Sequence, residues 1–196
     1  NRPGSPGGLR VVAQALVRLP TGYQPLSNNF VSVPTGGGQT DVQLSLVADV
    51  GGGKVGARFS GTYNDQLSLT SERRITLPSQ PIPWADRLAT VTTNPGNETA
   101  LSALPYFQLA PGLAIVGVVR YWSHAADAVE YASATNTIPG VSASELATDT
   151  QRTATIVGGG LSYAPAQTGP KVPLDAFWIY ETVVSASGGV VPKAGT

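Results

Sequence analysis

Residues 41–64 read DVQLSLVADV, then GGGK, then VGARFSGTYN. In the first run Val42, Leu44, Leu46, Ala48 and Val50 alternate with Asp41, Gln43, Ser45 and Asp49. In the second, Val55, Ala57, Phe59 and Tyr63 alternate with Arg58, Ser60, Thr62 and Asn64. Successive side chains of a strand point to opposite faces, so each run reads as a strand with one apolar and one polar face. Gly51-Gly52-Gly53-Lys54 between them reads as the turn of an antiparallel hairpin.

The same two-faced pattern recurs outward from this hairpin, in segments near 9–19, 99–109, 113–122, 151–163 and 172–184. In the first, Leu9, Val11, Ala13, Ala15, Val17 and Leu19 share a face, while Arg10, Gln14 and Arg18 share the other with Val12 and Leu16. Leu101, Ala103, Phe107 and Leu109 oppose Ser102 and Gln108, and Leu113, Ile115, Val119 and Tyr121 oppose Arg120, Trp122 and His124. Leu174, Ala176, Trp178 and Tyr180 oppose Asp175 and Glu181. The segment Arg152 to Tyr163 is the weakest, because Gly158, Gly159 and Gly160 blur its faces.

The gaps between the segments alternate: about twenty residues, four, more than thirty, three, close to thirty, about eight. A chain that crosses a bilayer with strands, turns tightly on one side and loops broadly on the other keeps that rhythm. The segments also match the roughly 9–11 residues of a tilted membrane-crossing strand. We therefore expect an all-β fold, an antiparallel up-and-down transmembrane β-barrel. Seven strands are visible, and since single-chain bacterial barrels close with an even number, residues 1–196 read as one barrel domain that is part of a larger barrel. The alternative is a soluble β-sandwich.

Pairing constraints sharpen the expectation. Ala110-Pro111-Gly112 closes a second hairpin that sets Ser102 opposite Arg120 and Phe107 opposite Ile115. One register of the first two strands places Arg18 opposite Asp41, Gln14 opposite Ser45 and Arg10 opposite Asp49. Opposite charges across a ladder contribute about 0.2–1 kcal/mol per pair. Their larger effect is on register, because a one-residue slip would move them to the apolar face. The aromatic residues fall near strand ends, with Tyr63, Tyr121, Trp122 and Tyr180 assigned to the long-loop side and Tyr106, Phe107 and Tyr163 to the short-turn side. That is the placement of interfacial aromatic girdles. Within the long gaps, Pro83 to Leu88 and Ser142 to Leu146 read as short helices, one with proline in its first turn and one with a serine cap.

Bulk numbers exclude several functions. The chain has 12 basic and 12 acidic residues and formal net charge zero, which is no footprint for nucleic acid. Cysteine is absent, which removes disulfides, thiolate metal sites and cysteine nucleophiles. Methionine is absent too, and Asn1 to Gly8 lacks the charged start and apolar core of a signal peptide, so a processed or truncated product is expected. No run of eighteen apolar residues exists, hence no transmembrane helix is predicted.

Catalytic readings are thin. His124 is the one histidine, with Ser123, Asp127 and Glu130 near it, but a serine adjacent in a strand points to the other face, which is poor geometry for proton transfer. A surface histidine at a loop edge is the simpler reading, and we expect no enzyme. The acids lack the spacing of a calcium loop, and Gly51 to Lys54 lacks the spacing of a phosphate loop. No metal or cofactor is expected. What remains is the polar face: Arg10, Arg18, Asp41, Asp49, Arg58, Arg120, Asp175 and Glu181, with Arg152, would line a lumen. Mixed signs argue against strong ion selectivity.

The stretch Arg18-Leu19-Pro20-Thr21-Gly22, a Gly-rich spacer, and Gln39-Thr40-Asp41-Val42-Gln43-Leu44-Ser45-Leu46 resembles the "RLPTG…G.TDV.L.L" pattern of bacterial outer-membrane barrels associated with aromatic-degradation operons. Arg73-Arg74-Ile75-Thr76 through Pro81-Ile82-Pro83-Trp84, with Asn94-Pro95-Gly96, is similar to an external loop of such proteins. The resemblance implies a bacterial outer-membrane location and a channel or transporter for small solutes, hydrophobic ones among them. Its partners would be the lipid bilayer and the solute; oligomerisation is left open, and no catalytic residues carry over. Such barrels usually end on an aromatic residue, whereas this chain ends Pro192-Lys193-Ala194-Gly195-Thr196, which again points to part of a longer barrel. The competing functional reading is a capsid-like or pilus-like structural subunit, or a surface-contact protein, without transport.

Overall fold

The computed structural model describes residues 8–22, 27, 38–75, 87–164 and 175–189. They form ten strands: β1 (Gly8–Arg18), β2 (Asp41–Gly52), β3 (Val55–Gln66), β4 (Leu69–Ile75), β5 (Arg87–Asn94), β6 (Glu98–Ala110), β7 (Leu113–His124), β8 (Ala128–Tyr131), β9 (Arg152–Tyr163) and β10 (Ala176–Ser187). The only helices among the described residues are two 3-10 turns, Ala134–Asn136 and Ala143–Ala147. All ladders are antiparallel. The fold is all-β.

Seven strands build one sheet in the order β1-β2-β3-β6-β7-β9-β10, a meander of the seven segments read from the alternation. Among the described residues β1 and β10 each pair on one side only, so the sheet is open. The registers agree with the charge matching. Arg18 faces Asp41, Gln14 faces Ser45 and Arg10 faces Asp49; Ser102 faces Arg120 and Phe107 faces Ile115. The two tight turns carry glycine where the chain must adopt positive φ, Gly53 at 60° and Gly112 at 83°.

The sheet curls toward its polar face. β2 and β9 are four strand spacings apart, roughly 19 Å across a flat sheet. Yet Asp49 of β2 and Ser162 of β9 line one cavity of about 230 Å³. At β9 the cause is local: a Cβ on Gly158 or Gly160 would run into the backbone of Tyr180 or Trp178. The triple glycine that hides the face pattern in sequence is what lets β10 fold in this closely.

Three strands had not been expected. β4, β5 and β8 form a second sheet in that order, and they continue β3, β6 and β7 past short breaks. So the two longest gaps are not open loops. Arg87 and Leu88, read as the end of a helix, instead open β5, where they pair with Ile75 and Arg74; Pro83 to Asp86 lie outside the described residues. A proline that suits a first helical turn does not outweigh a ladder partner already in place. The second expected helix is present as the 3-10 turn Ala143–Ala147, with the Ser142 hydroxyl accepting from the Ser144 N–H at 3.3 Å.

Burial separates the two sheets. Ile75, Ala89, Val91, Val129, Val141 and Ala143 form a buried core between the small sheet and the 3-10 turn, with Tyr131 and Leu146 packed against it. On the large sheet the apolar face is bare: Leu44, Leu46, Phe59, Leu101, Phe107, Ile115, Val119 and Trp178 are all exposed. The aromatic placement needs correction at two positions. Trp122 lies on the polar face at the long-gap end as expected, opposite Ala100, whereas Tyr106, expected in a girdle, lies on the polar face opposite Gly56. Tyr180 pairs with Gly159 in the short-turn half.

Candidate functional site: the polar concave face

Paired residues of an antiparallel ladder share a face, so register assigns the interior. Arg10, Asp49 and Arg58 fall in one row; Arg18 and Asp41 fall in another at the long-gap end. Arg120 and Glu181 share the same face through β9. Seven of the eight expected lining residues therefore belong to one concave surface. Asp175, the eighth, stands exposed one residue before β10.

Three of the arginines find acids, while Arg10, opposite Asp49 in register, makes no ion pair among the described residues. Arg58 grips Asp49 with two bonds, Nε to Oδ1 at 2.7 Å and Nη2 to Oδ2 at 3.1 Å. Arg18 Nη1 donates to Asp41 Oδ2 at 2.9 Å. Asp49 is only 6% exposed and Asp41 5%, and an unpaired buried carboxylate would be costly. Arg120 reaches Glu181 at 3.1 Å, although β9 runs between their strands. Gly158, the register partner of Glu181, leaves room for that bridge; a Cβ there would press on the Glu181 side chain. Hydroxyl pairs link further neighbours, Ser60 with Ser102 at 2.7 Å and Ser45 with Thr62 at 3.2 Å.

Toward the short turns the surface changes character. Gly51 and Gly56 lie in one row with Tyr106, whose ring covers both positions. A ring laid over strand glycines restores the packing they lack. Beside it, Leu104, Ala114 and Val116 line the cavity together with Asp49, Arg58 and Ser162.

At the long-gap end a second cluster sits on the joint between the sheets. His124 Nε2 lies 3.0 Å from Asp127 Oδ1, and Nδ1 lies 3.6 Å from Glu98 Oε1. Asp127 also accepts from the Gly96 N–H at 2.8 Å, and its own N–H donates to Thr150 Oγ1 at 2.9 Å. Trp122 stacks on the imidazole, centroids 6.4 Å apart. Asn64 Nδ2 donates to Glu98 at 3.5 Å, while its buried Oδ1 has no hydrogen-bond partner among the described residues. His124 is therefore not a surface histidine, since its side chain is 15% exposed. Ser123 pairs with Thr99 and Thr153 on the other face. Among the described residues no group of three or more histidines and acids is placed to hold a metal ion.

Sequence reasoning missed Glu98, Tyr106 and the role of Asp127. For Tyr106 a signal was present: one aromatic whose hairpin register sets it against a strand carrying Gly51 and Gly56. No family model matches the chain, and no curated protein matches it either.

Proposed function

We infer that this chain forms the wall of an outer-membrane β-barrel that passes small solutes, hydrophobic ones among them. One observation carries the reading. The seven-stranded sheet exposes a continuous apolar face, from Leu9 and Val11 through Leu46 and Phe59 to Ile115 and Trp178, and turns its ion pairs inward. Water-soluble monomers rarely expose contiguous apolar patches beyond a few hundred Å²; lipid is the solvent that such a face suits. The strands run 11 to 13 residues, enough to cross a bilayer when tilted. Among the described residues no helix is long and apolar enough to do so. The short "RLPTG" and "TDVQLSL" motifs agree with the same reading.

The test is quenching of Trp178 fluorescence by brominated lipid in reconstituted vesicles, with Trp84→Phe and Trp122→Phe to isolate the signal. Strong quenching is expected, followed by solute-dependent vesicle swelling. A second reading, a β-sandwich subunit, draws on the unpaired edges of β1 and β10, with a further sheet covering the apolar face. It predicts a protein that stays in solution without detergent and a Trp178 that lipid does not quench.

A further inference from the structure

The concave face holds polar groups that the ion-pair network does not use, and they converge on one hollow. The guanidinium of Arg58 spends Nε and Nη2 on Asp49. Its Nη1 has no partner among the described residues, and the side chain is 53% exposed. The Tyr106 and Ser162 hydroxyls likewise have none, and both groups line the same cavity as Arg58. The floor is apolar, made by Leu104, Ala114 and Val116, with Ala114 at 1% exposure.

The hollow exists because of glycine. Gly51, Gly56 and Gly160 fall in the row of Tyr106 and Val116, so the wall carries no side chains on the β2–β3 side of the ring, and on the other side none at β9 beyond Val116. Tyr106 is held in place by lying over Gly56, which makes its hydroxyl a fixed group rather than a wandering one. Fixed donors above an apolar floor are the usual makeup of a small-molecule site.

Size and charge narrow the ligand. A volume of about 230 Å³ is below the roughly 300–1,000 Å³ of drug-sized sites, so the ligand is smaller. Asp49 offsets the Arg58 charge at 2.7 Å, so a bare anion gains little there. A sugar would leave the Leu104–Val116 floor facing hydroxyls. We propose that this hollow is a solute-binding subsite for a small neutral molecule with one hydroxyl or carbonyl head and a compact apolar body. The head bonds to Tyr106 and Arg58 Nη1 on the β3 side, the body lies on Leu104, Ala114 and Val116, and Ser162 of β9 borders its far end. The proposal rests on reading the concave face as a water-filled lumen.

The experiment pairs binding with permeation, using the full chain in lipid discs and vesicles. Calorimetric titrations with cyclohexanol, cyclohexanecarboxylate and glucose are compared between wild type, Tyr106→Phe/Ser162→Ala, and Val116→Phe; subtracting variants removes partition into lipid. Wild type is expected to bind cyclohexanol saturably. The double variant, which removes the Tyr106 bond to the head, should weaken it roughly five-fold, the loss expected for one neutral hydrogen bond. Val116→Phe, which fills the floor, should abolish it. Cyclohexanol uptake indistinguishable among the three proteins overturns the subsite, and tighter binding of cyclohexanecarboxylate than of cyclohexanol overturns the neutral-ligand assignment. Vesicle swelling separates the two conclusions. Permeation that follows solute size alone, unchanged by the variants, leaves the channel and removes the subsite. Saturable binding without permeation of any solute leaves the subsite and removes the channel.

Discussion

β3, β6 and β7 carry the large sheet, and after short breaks β4, β5 and β8 carry the small one, in the same lateral order. One side of those breaks hides Ile75, Val91 and Val129 from solvent. The other side hides Asp41, Asp49 and Asn64 and leaves Leu46, Leu101 and Ile115 bare. The same strand order thus carries two opposite distributions of apolar and polar side chains. The small sheet is organised as proteins are in water, with apolar side chains facing a core. The large sheet is organised as a barrel wall is in lipid, with apolar side chains out and polar side chains in. The change happens within two or three residues, at Leu67-Ser68, Pro95-Gly96-Asn97 and Ala125-Ala126-Asp127. On the membrane reading proposed above, those breaks mark where the apolar solvent would end.

The contrast can be broken by making the same kind of truncation on each side. Ile75 is 1% exposed in the small core, and Ile75→Ala should cost about 2–5 kcal/mol, because the site cannot refill the cavity. Hydrogen exchange should show the amides of Val91 and Val129 losing protection while that of Val118 keeps it. Loss at all three would make the two sheets one cooperative unit and end the comparison. Leu46→Ala on the large sheet should cost less than Ile75→Ala, since acyl chains flow into the gap where a protein core would not. Leu46→Arg near the middle of β2 should cost about 2–4 kcal/mol in vesicle unfolding, the penalty of a charge at mid-bilayer. A cavity-sized cost for Leu46→Ala would instead put a packed protein layer over that face.

How much of this was legible follows from the two distributions. Six strands of the large sheet announce themselves because each offers four to six apolar residues in every second position, and because Arg10, Arg18, Asp41 and Asp49 match in one register only; β9, with Val157, Leu161 and Tyr163 around Gly159, is the weaker one. The small sheet offers far less. β5 has Ala89 and Val91, β8 has Val129 and Tyr131, and β4 is interrupted by Glu72, Arg73 and Arg74. Two alternating apolar residues do not separate a strand from a loop; what forms these strands is that their partners already lie side by side in β3, β6 and β7. That Arg10, Arg18, Asp41, Asp49, Arg58, Arg120 and Glu181 share one face was readable from charge alternation. The His124 cluster was not, because Glu98 and Asn64 reach it through β6 and β3, at distances in sequence of 26 and 60.

The polar face can be tested against itself. Arg58→Ala leaves Asp49 buried and without its two-bond partner, whereas Arg18→Ala removes a single bond from Asp41, which keeps the Gln39 Nε2 donor at 3.2 Å, and Arg18 itself is 67% exposed. The first should cost about 1–3 kcal/mol, below the ~3–5 of a fully buried pair because Arg58 is half exposed, and the second about 0.2–1. Equal costs would mean that solvent reaches Asp49 freely and that the wall around it is loose.

The most local expected effect lies at the joint. His124→Ala removes the 3.0 Å contact to Asp127, but Asp127 keeps the Gly96 N–H at 2.8 Å and its own N–H keeps Thr150. One hydrogen bond of this kind is worth about 0.5–1.5 kcal/mol. The loss should therefore appear locally, as faster exchange of the Ala125 amide, whose N–H donates to the Asn97 carbonyl at 3.0 Å across the break. Val118 within β7 and Val91 within β5 should exchange as before. Faster exchange spreading into either strand would show that the joint belongs to that sheet. Confinement to residues 95–97 and 125–127 would show a separate hinge line, along which the small sheet is fastened to the end of the large one by His124, Glu98 and Asp127.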